Sequence, residues 1–211
     1  MKLFLQRLNV ILRDVGRHVK YVVTNDLDFP SSQNPNEIAQ FCSMASKVGP
    51  KIVMEIGVAE CSNAIYLCEN LPTVKTFIGI DLYVRNRFNV RGFIRNDCSI
   101  HLKNGRSENC VKWVGKVLKG KEIDVLFIDG DHTYLGVCSD YMNYRHFVRR
   151  GGIIAFHDIV PDKREKLQKD DPKGNVPAFW KLLSWHDVES RGYEIIDDPN
   201  QDGMGIGVIE V

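Results

Sequence analysis

The sequence predicts a doubly wound α/β domain built on a mostly parallel sheet of seven strands, closed by an antiparallel hairpin. Three observations point there. Five short apolar runs each lead into polar or turn-forming residues, and amphipathic segments alternate with them. The last two apolar runs, "YEIID" and "GIGVIEV", follow one another without an intervening helix, as a closing antiparallel pair does. With 211 residues the chain suits one domain with a substantial core. A net charge of +1 provides no overall basic field of the kind that nucleic-acid binding needs. Six cysteines lie far apart with no CxxC pair, which suits reduced thiols in a cytoplasmic protein better than disulfides or a zinc site.

Residues 1–31 read as an amphipathic helix and linker, ahead of a domain spanning 32–211. Phe4, Leu8, Ile11, Val15, Val19 and Val22 recur at steps of three or four, opposite Lys2, Arg7, Arg13, Arg17 and Lys20. Gln6, Arg7, Arg13 and Asp14 interrupt the apolar run, so neither a signal-peptide core nor a transmembrane segment fits. The helix packs on the domain or on a second subunit, giving a homo-oligomer, or else it lies weakly on a membrane surface.

"SSQNPNEIAQFCSMASKVG" carries an Asn-Pro start signal and a Gly-Pro stop, hence a helix. "KIVMEIGV" is the first buried strand, "SNAIYLCENL" the next helix, and "TFIGIDLY" the second strand. Residues 84–97 are polar and basic, and read as a loop. "SIHLKNG" is the third strand and "SENCVKWVGKVLKG" a helix with Val111, Val114 and Leu118 on one side. "IDVLFIDG" is the fourth and most apolar strand. "YLGVCSDYMNYRHFVRR" reads as a helix stopped by Gly151-Gly152, before the fifth strand "GIIAFHDI". "VPAFWKLLSW" is helical, with Phe179 and Trp180 as core residues, as are Tyr134 and Tyr141 earlier. The polar, Pro- and Gly-punctuated stretch 160–177 is either a mobile lid or a solvated loop.

In an open α/β sheet, ligands bind outside the carboxyl ends of the strands. Here those ends are Glu55 and Gly57, Asp81, Gly105 and Ser107, Asp129, and His157 with Asp158. Five strands thus deliver polar groups to one rim. The turn "EIGVAECSN" places a glycine between strand and helix, where backbone can approach a ligand and helix N–H groups face an anion. Asp81, at the next strand end, can accept two hydrogen bonds from a ribose diol. Asp129, His157 and Asp158 can together form an open three-ligand metal site. Two carboxylates with one imidazole make Mg²⁺ or Mn²⁺ the first choices. His132 is a candidate general base with Asp129 beside it, or else a structural partner of Asp131 or of a backbone carbonyl.

The order "VMEIGVAE…FIGIDLY…NGRSEN…IDVLFIDGDHTYLGV…GGIIAFHDI" resembles a class I S-adenosylmethionine-dependent methyltransferase, of the small-molecule O-methyltransferase kind typified by the catechol and macrocin enzymes. The resemblance covers residues 32–211 and implies a Rossmann-like sheet with S-adenosyl-L-methionine as cofactor. It implies that Glu55 and Gly57 lie beside the methionine moiety, that Asn63 meets its carboxylate, that Asp81 holds the ribose and that Ser107 lies beside the adenine. Ala59 and Asp129 would border the same pocket, and Asp129, His157 and Asp158 match positions that bind metal. Ala59 and Cys61 stand where glycines are commoner, Arg106 where an acidic or small residue is, and His157 where a carboxylate is usual.

The expected activity is therefore metal-assisted methyl transfer to a hydroxyl of a small molecule such as a sugar, polyol or natural product. Two rivals follow from the same residues: a cofactor-binding protein without catalysis, and a nicotinamide-dependent oxidoreductase, which would call for a fuller glycine fingerprint. A nucleic-acid substrate is the weaker expectation. It rests on "VRNRFNVRGFIR", where Arg85, Arg87, Arg91 and Arg95 interleave with Phe88 and Phe93.

Overall fold

The computed structural model describes residues 33–85, 90–162, 175–186 and 192–211. The N-terminal amphipathic helix and most of the stretch read as a lid, 163–174, lie outside the described residues. In chain order the elements are α1 (Pro35–Ser46), β1 (Ile52–Ile56), α2 (Ser62–Asn70), β2 (Thr76–Asp81), α3 (Val90–Phe93), β3 (Ser99–Asn104) and α4 (Ser107–Leu118). Then come β4 (Ile123–Ile128), α5 (Tyr134–Tyr144), a 3₁₀ turn (Arg145–Phe147), β5 (Val148–His157), α6 (Val176–His186), β6 (Gly192–Ile195) and β7 (Ile206–Glu210). The seven strands form one sheet in the order β3-β2-β1-β4-β5-β7-β6. The first five are mutually parallel, while β7 runs antiparallel to both β5 and β6. Strand order reverses between β1 and β4, so a crevice opens at their carboxyl ends.

Every residue of β1 and β4 is buried, as expected for central strands covered on both faces. Alternation still sorts their side chains. Val53, Val125 and Phe127 join Ile38, Phe41 and Leu67 in one core layer. Met54, Leu126 and Ile128 join Val114, Tyr144, Phe156 and Trp180 in the other. Phe179 and Trp180 are core residues, and the Trp180 indole N–H donates to Glu194 Oε1 at 2.7 Å.

Two polar clasps lock the layers. Asn34 caps α1 by accepting from the Asn36 and Glu37 amides. One turn further, the fully buried Glu37 accepts from Gln201 Nε2, Asp197 N and Gly205 N, tying α1 to the β6–β7 connection. On the opposite side Asp124 accepts from Lys51 N, Ile52 N and Arg149 Nε, holding the amino end of β1 to β4 and β5.

The helix expected to run to Arg150 ends at Tyr144, and Val148–Arg150 instead begin β5. Long-range contacts decide this: Val148 pairs with Ile123, and the Arg149 guanidinium is held by Asp124 and the Val48 carbonyl. Gly151 takes φ +69 inside the strand, near the register shift between Ile123 and Val125, and stops no helix. The expected loop at 84–97 contains the short helix α3. There Arg95 bonds Asp97 and the carbonyls of Cys68 and Val74, while Arg85 pairs with Glu60. Those two arginines are occupied within the fold. All six cysteines are free thiols. Among the described residues no helix is long and apolar enough to cross a membrane.

Candidate active site

A cavity of about 940 Å³ lies at the carboxyl ends of β1, β2, β4 and β5. Gly57, Ala59, Asp81, Ser107, Asp129, His132, His157 and Asp158 all line it. The chain brings them there from five separate strand ends because parallel strands end on one side of the sheet.

The floor is the turn after β1. Gly57 (φ +94), Ala59 (φ +39) and Cys61 (φ +64) all take left-handed backbone. Ala59 and Cys61 thus adopt a backbone that usually favours glycine. Gly57 itself tolerates nothing larger, since a Cβ there would sit 1.8 Å from the Asp129 carbonyl oxygen. Beside it, Asp81 is fixed by two amides: Oδ2 accepts from Ala59 N and Oδ1 from Tyr83 N, both at 2.8 Å. Each oxygen keeps a further lone pair for a ligand.

Glu55 and Asn63 are packed against each other and do not line the cavity. Glu55 Oε1 accepts from Asn63 Nδ2 at 2.7 Å, whereas Glu55 Oε2 and Asn63 Oδ1 are buried without hydrogen-bond partners among the described residues. Burial pushes the Glu55 carboxyl up to about 8, against the opposing bond from Asn63, with the charges of Asp129 and Asp81 adding to the rise.

Beside the Gly57 turn, the ends of β4 and β5 bring an acid–imidazole cluster into the cavity. His157 Nδ1 lies 3.1 Å from Asp129 Oδ1 and 3.4 Å from Asp158 Oδ1. His132 joins from the other side, with Nδ1 3.0 Å from Asp158 Oδ2 and Nε2 3.5 Å from Asp129 Oδ1. His157 is 4 % exposed and His132 about half, so one is set into the wall and the other faces the opening. Asp158 holds a left-handed φ of +62, a backbone strain that clusters at functional sites. Hydrogen bonds to Asp129 and Asp158 push His132 up to about 10. For His157, burial pulls downward, but the Asp129 charge and hydrogen bonds to both aspartates raise it to about 10. Burial alone would raise Asp129 and Asp158, yet the two histidines outweigh it and hold both carboxyls below their ordinary range.

Asp129, His132 and Asp158 each offer a ligand atom within 4.8 Å of the others. His132, read from the sequence as a base, thus lies among the carboxylates, and His157 abuts the same pair from the buried side. Sequence reasoning missed two neighbours. Gln33 Nε2 donates to Asp129 Oδ2 at 2.7 Å across 96 residues, which no local pattern signals. Asp140 lines the cavity from α5 and receives the Ser107 hydroxyl at Oδ1. Its signal was present, since a carboxylate shares the buried helix face with Val137, Tyr141 and Tyr144. Burial lifts Asp140 to about 6 despite the bond from Ser107.

Residues 54–159 match the family model described as "Methyltransferase domain", half of the chain. The chain belongs to that methyltransferase-domain family. An uncharacterised protein of Acanthamoeba polyphaga mimivirus is 31% identical over 151 residues, which is 66% of this chain. The methyltransferase-domain chain spans 62% of that relative's length. Its fold matches an O-methyltransferase from Bacillus cereus solved with S-adenosylhomocysteine (TM-score 0.65, 13% identity, 100% of this chain and 91% of that one). It also matches the MycE methyltransferase of mycinamycin biosynthesis solved with Mg and S-adenosylhomocysteine (TM-score 0.53, 14% identity, 82% of this chain and 48% of that one). The seven-stranded sheet of the methyltransferase-domain family is thus the sheet seen here.

Proposed function

We propose that this chain is an S-adenosylmethionine-dependent O-methyltransferase, assisted by a divalent cation, that acts on a hydroxyl of a small molecule such as a sugar, polyol or natural product. One observation carries the reading. A single cavity joins the Gly57 turn and Asp81 to the cluster of Asp129, His132, His157 and Asp158. The family match and the O-methyltransferase folds with bound S-adenosylhomocysteine support the donor, and the Mg found with MycE supports the cation.

Methyl transfer from a sulfonium is an in-line displacement, so nucleophile and donor must be held in register. Gly57 admits the donor close to the backbone, and Asp81 accepts from its ribose hydroxyls. Asp129, Asp158 and His132 form a mixed carboxylate–imidazole donor set that fits Mg²⁺ or Mn²⁺. A bound cation would orient two acceptor oxygens and lower the pKa of the attacking hydroxyl. His157, hydrogen-bonded to Asp129, fixes that carboxylate's orientation, a task it shares with Gln33. We assign His132 as the third donor, with the general base as its alternative role, because its ring nitrogens lie 3.0 Å from Asp158 and 3.5 Å from Asp129, where a cation would replace the proton that the imidazole otherwise shares with the carboxylates. Six free thiols suit the reducing cytoplasm.

The test is a thermal-shift and calorimetry panel of S-adenosylmethionine, S-adenosylhomocysteine, NADH, Mg²⁺ and Mn²⁺. Methyl transfer to hydroxylated small molecules follows on the same samples. Donor and cation should each stabilise the protein, the cation response should vanish in Asp129→Ala and Asp158→Asn, and turnover should need both ligands. Binding of NADH in place of S-adenosylmethionine would make it an oxidoreductase. Donor binding with neither cation response nor transfer to any acceptor would make it a silent binding protein.

A further inference from the structure

Cys68 Sγ and Cys98 Sγ lie 4.0 Å apart, brought together across 30 residues. Cys68 belongs to the last turn of α2, and Cys98 stands directly before β3. Arg95 fixes the backbone at both. Its guanidinium donates to the Cys68 carbonyl at 3.0 Å and to the Val74 carbonyl at 2.7 Å, while its own carbonyl accepts from Cys98 N at 3.1 Å. Asp97, between them in the chain, is held by Lys75 Nζ and Arg95 Nε. The fold thus builds the contact between the two thiols and holds it.

The two sulfurs are not equivalent. Cys68 is fully buried and Cys98 is 9 % exposed, so an oxidant from solvent meets Cys98 first. The hydrogen bond from Cys68, with the charges of Arg95 and Lys75, holds the Cys98 thiol below its ordinary range, against burial and the Asp97 charge. Burial instead pushes the Cys42 and Cys61 thiols up to about 12. The thiolate is the nucleophile, which makes Cys98 the reactive member of the pair.

We propose that Cys68 and Cys98 are a modification site for peroxides, an oxidisable dithiol whose disulfide closes a covalent ring around β2 and α3. The Cys98 thiolate attacks a peroxide oxygen and the O–O bond breaks, leaving a sulfenic acid on Cys98 and a hydroxide that takes up a proton as water. The Cys68 sulfur then attacks the Cys98 sulfur, the S–O bond breaks, and the departing hydroxide leaves with the Cys68 proton as a second water. Two thiols lose two electrons and one hydrogen peroxide gains them. The sulfurs need only close by about 2 Å, within reach of side-chain rotation. The ring closes at the amino ends of β2 and β3, where Thr76 pairs with Ser99, away from the cavity at the carboxyl ends. The bond therefore acts as a staple that restricts the unfolded chain. In a reducing compartment the pair stays as two thiols until peroxide appears.

The experiment treats the wild-type chain with hydrogen peroxide, stops the reaction with catalase and blocks the remaining thiols with N-ethylmaleimide. Non-reducing digestion and mass spectrometry should find the Cys68 and Cys98 peptides joined. The melting temperature of the linked protein should stand about 5 °C above that of the same sample after dithiothreitol. Only this reversible part counts, because dithiothreitol does not restore methionine oxidised by the same treatment. Treatment that oxidises the less buried Cys138 while Cys68 and Cys98 stay unlinked, or that joins either of them to a different cysteine, would overturn the pairing. A linked protein that melts no higher than its reduced form would overturn the staple. A folded Cys98→Ser protein should show no reversible rise, and a rise as large as the wild type's would overturn the proposal too. None of these measurements needs donor or acceptor, so they stand apart from the function proposed above.

Discussion

Glu55 sits in the middle of β1, paired with Gly79 on one side and Phe127 on the other, and is 1 % exposed. Among the described residues its one donor is Asn63 Nδ2, and the pair holds two buried acceptor oxygens without donors, Glu55 Oε2 and Asn63 Oδ1. A proton on the carboxyl turns an acceptor-only group into a donor, so burial and unmet hydrogen bonding both favour the neutral acid. With the folded pKa at about 8 and a reference of 4.5, the folded chain holds one more proton than the unfolded chain between those pH values. Stability attributable to this site therefore falls as pH rises through that window, by about 1.4 kcal/mol per unit at most. Between pH 5 and pH 7 the loss is about 2–3 kcal/mol. Glu55→Gln keeps the shape and stays neutral, so it should lack this dependence and overtake the wild type as pH rises. Urea unfolding of both ligand-free proteins at pH 5, 6, 7 and 8, followed by tryptophan fluorescence, measures the difference. Parallel stability curves, separated by a constant offset across that range, would refute the reasoning.

Two further substitutions test how the site is held. Gly57→Ala forces a Cβ into the Asp129 carbonyl at a left-handed backbone position, and should cost about 2 kcal/mol or more together with loss of donor binding. A melting temperature within a degree of wild type would show that the turn relaxes. Asp124→Ala strips a buried acceptor from Lys51 N, Ile52 N and the Arg149 guanidinium, and should destabilise by about 3 kcal/mol in urea unfolding while donor affinity in the folded protein is kept. A loss below about 1 kcal/mol would mean that water replaces the carboxylate.

The central strands β1, β2, β4 and β5 were legible because buried parallel strands are short, nearly continuous apolar runs, and "IDVLFI" reads as nothing else in this setting. The rim was legible for the same reason, since each run ends abruptly in Gly, Asp or His. The end of α5 was not legible: local periodicity favours helix through Arg150, but Asp124 and Val48 hold Arg149 in a strand from 25 and 101 residues away. The different settings of the two histidines were equally hidden. His132 and His157 belong to one cluster, and only their depth, half exposed against 4 %, separates the imidazole at the opening from the one set in the wall.

By itself the sequence determined the class of fold, its strand count and the polar groups at the strand ends, because these follow from local alternation of apolar and polar residues. Tertiary structure alone decided which of those groups meet. It paired Glu55 with Asn63, brought Gln33 onto Asp129, and set Asp140 beside Ser107 at the cavity. Such choices depend on chain segments distant in sequence sharing a few ångströms of space, and no local pattern of residues encodes that.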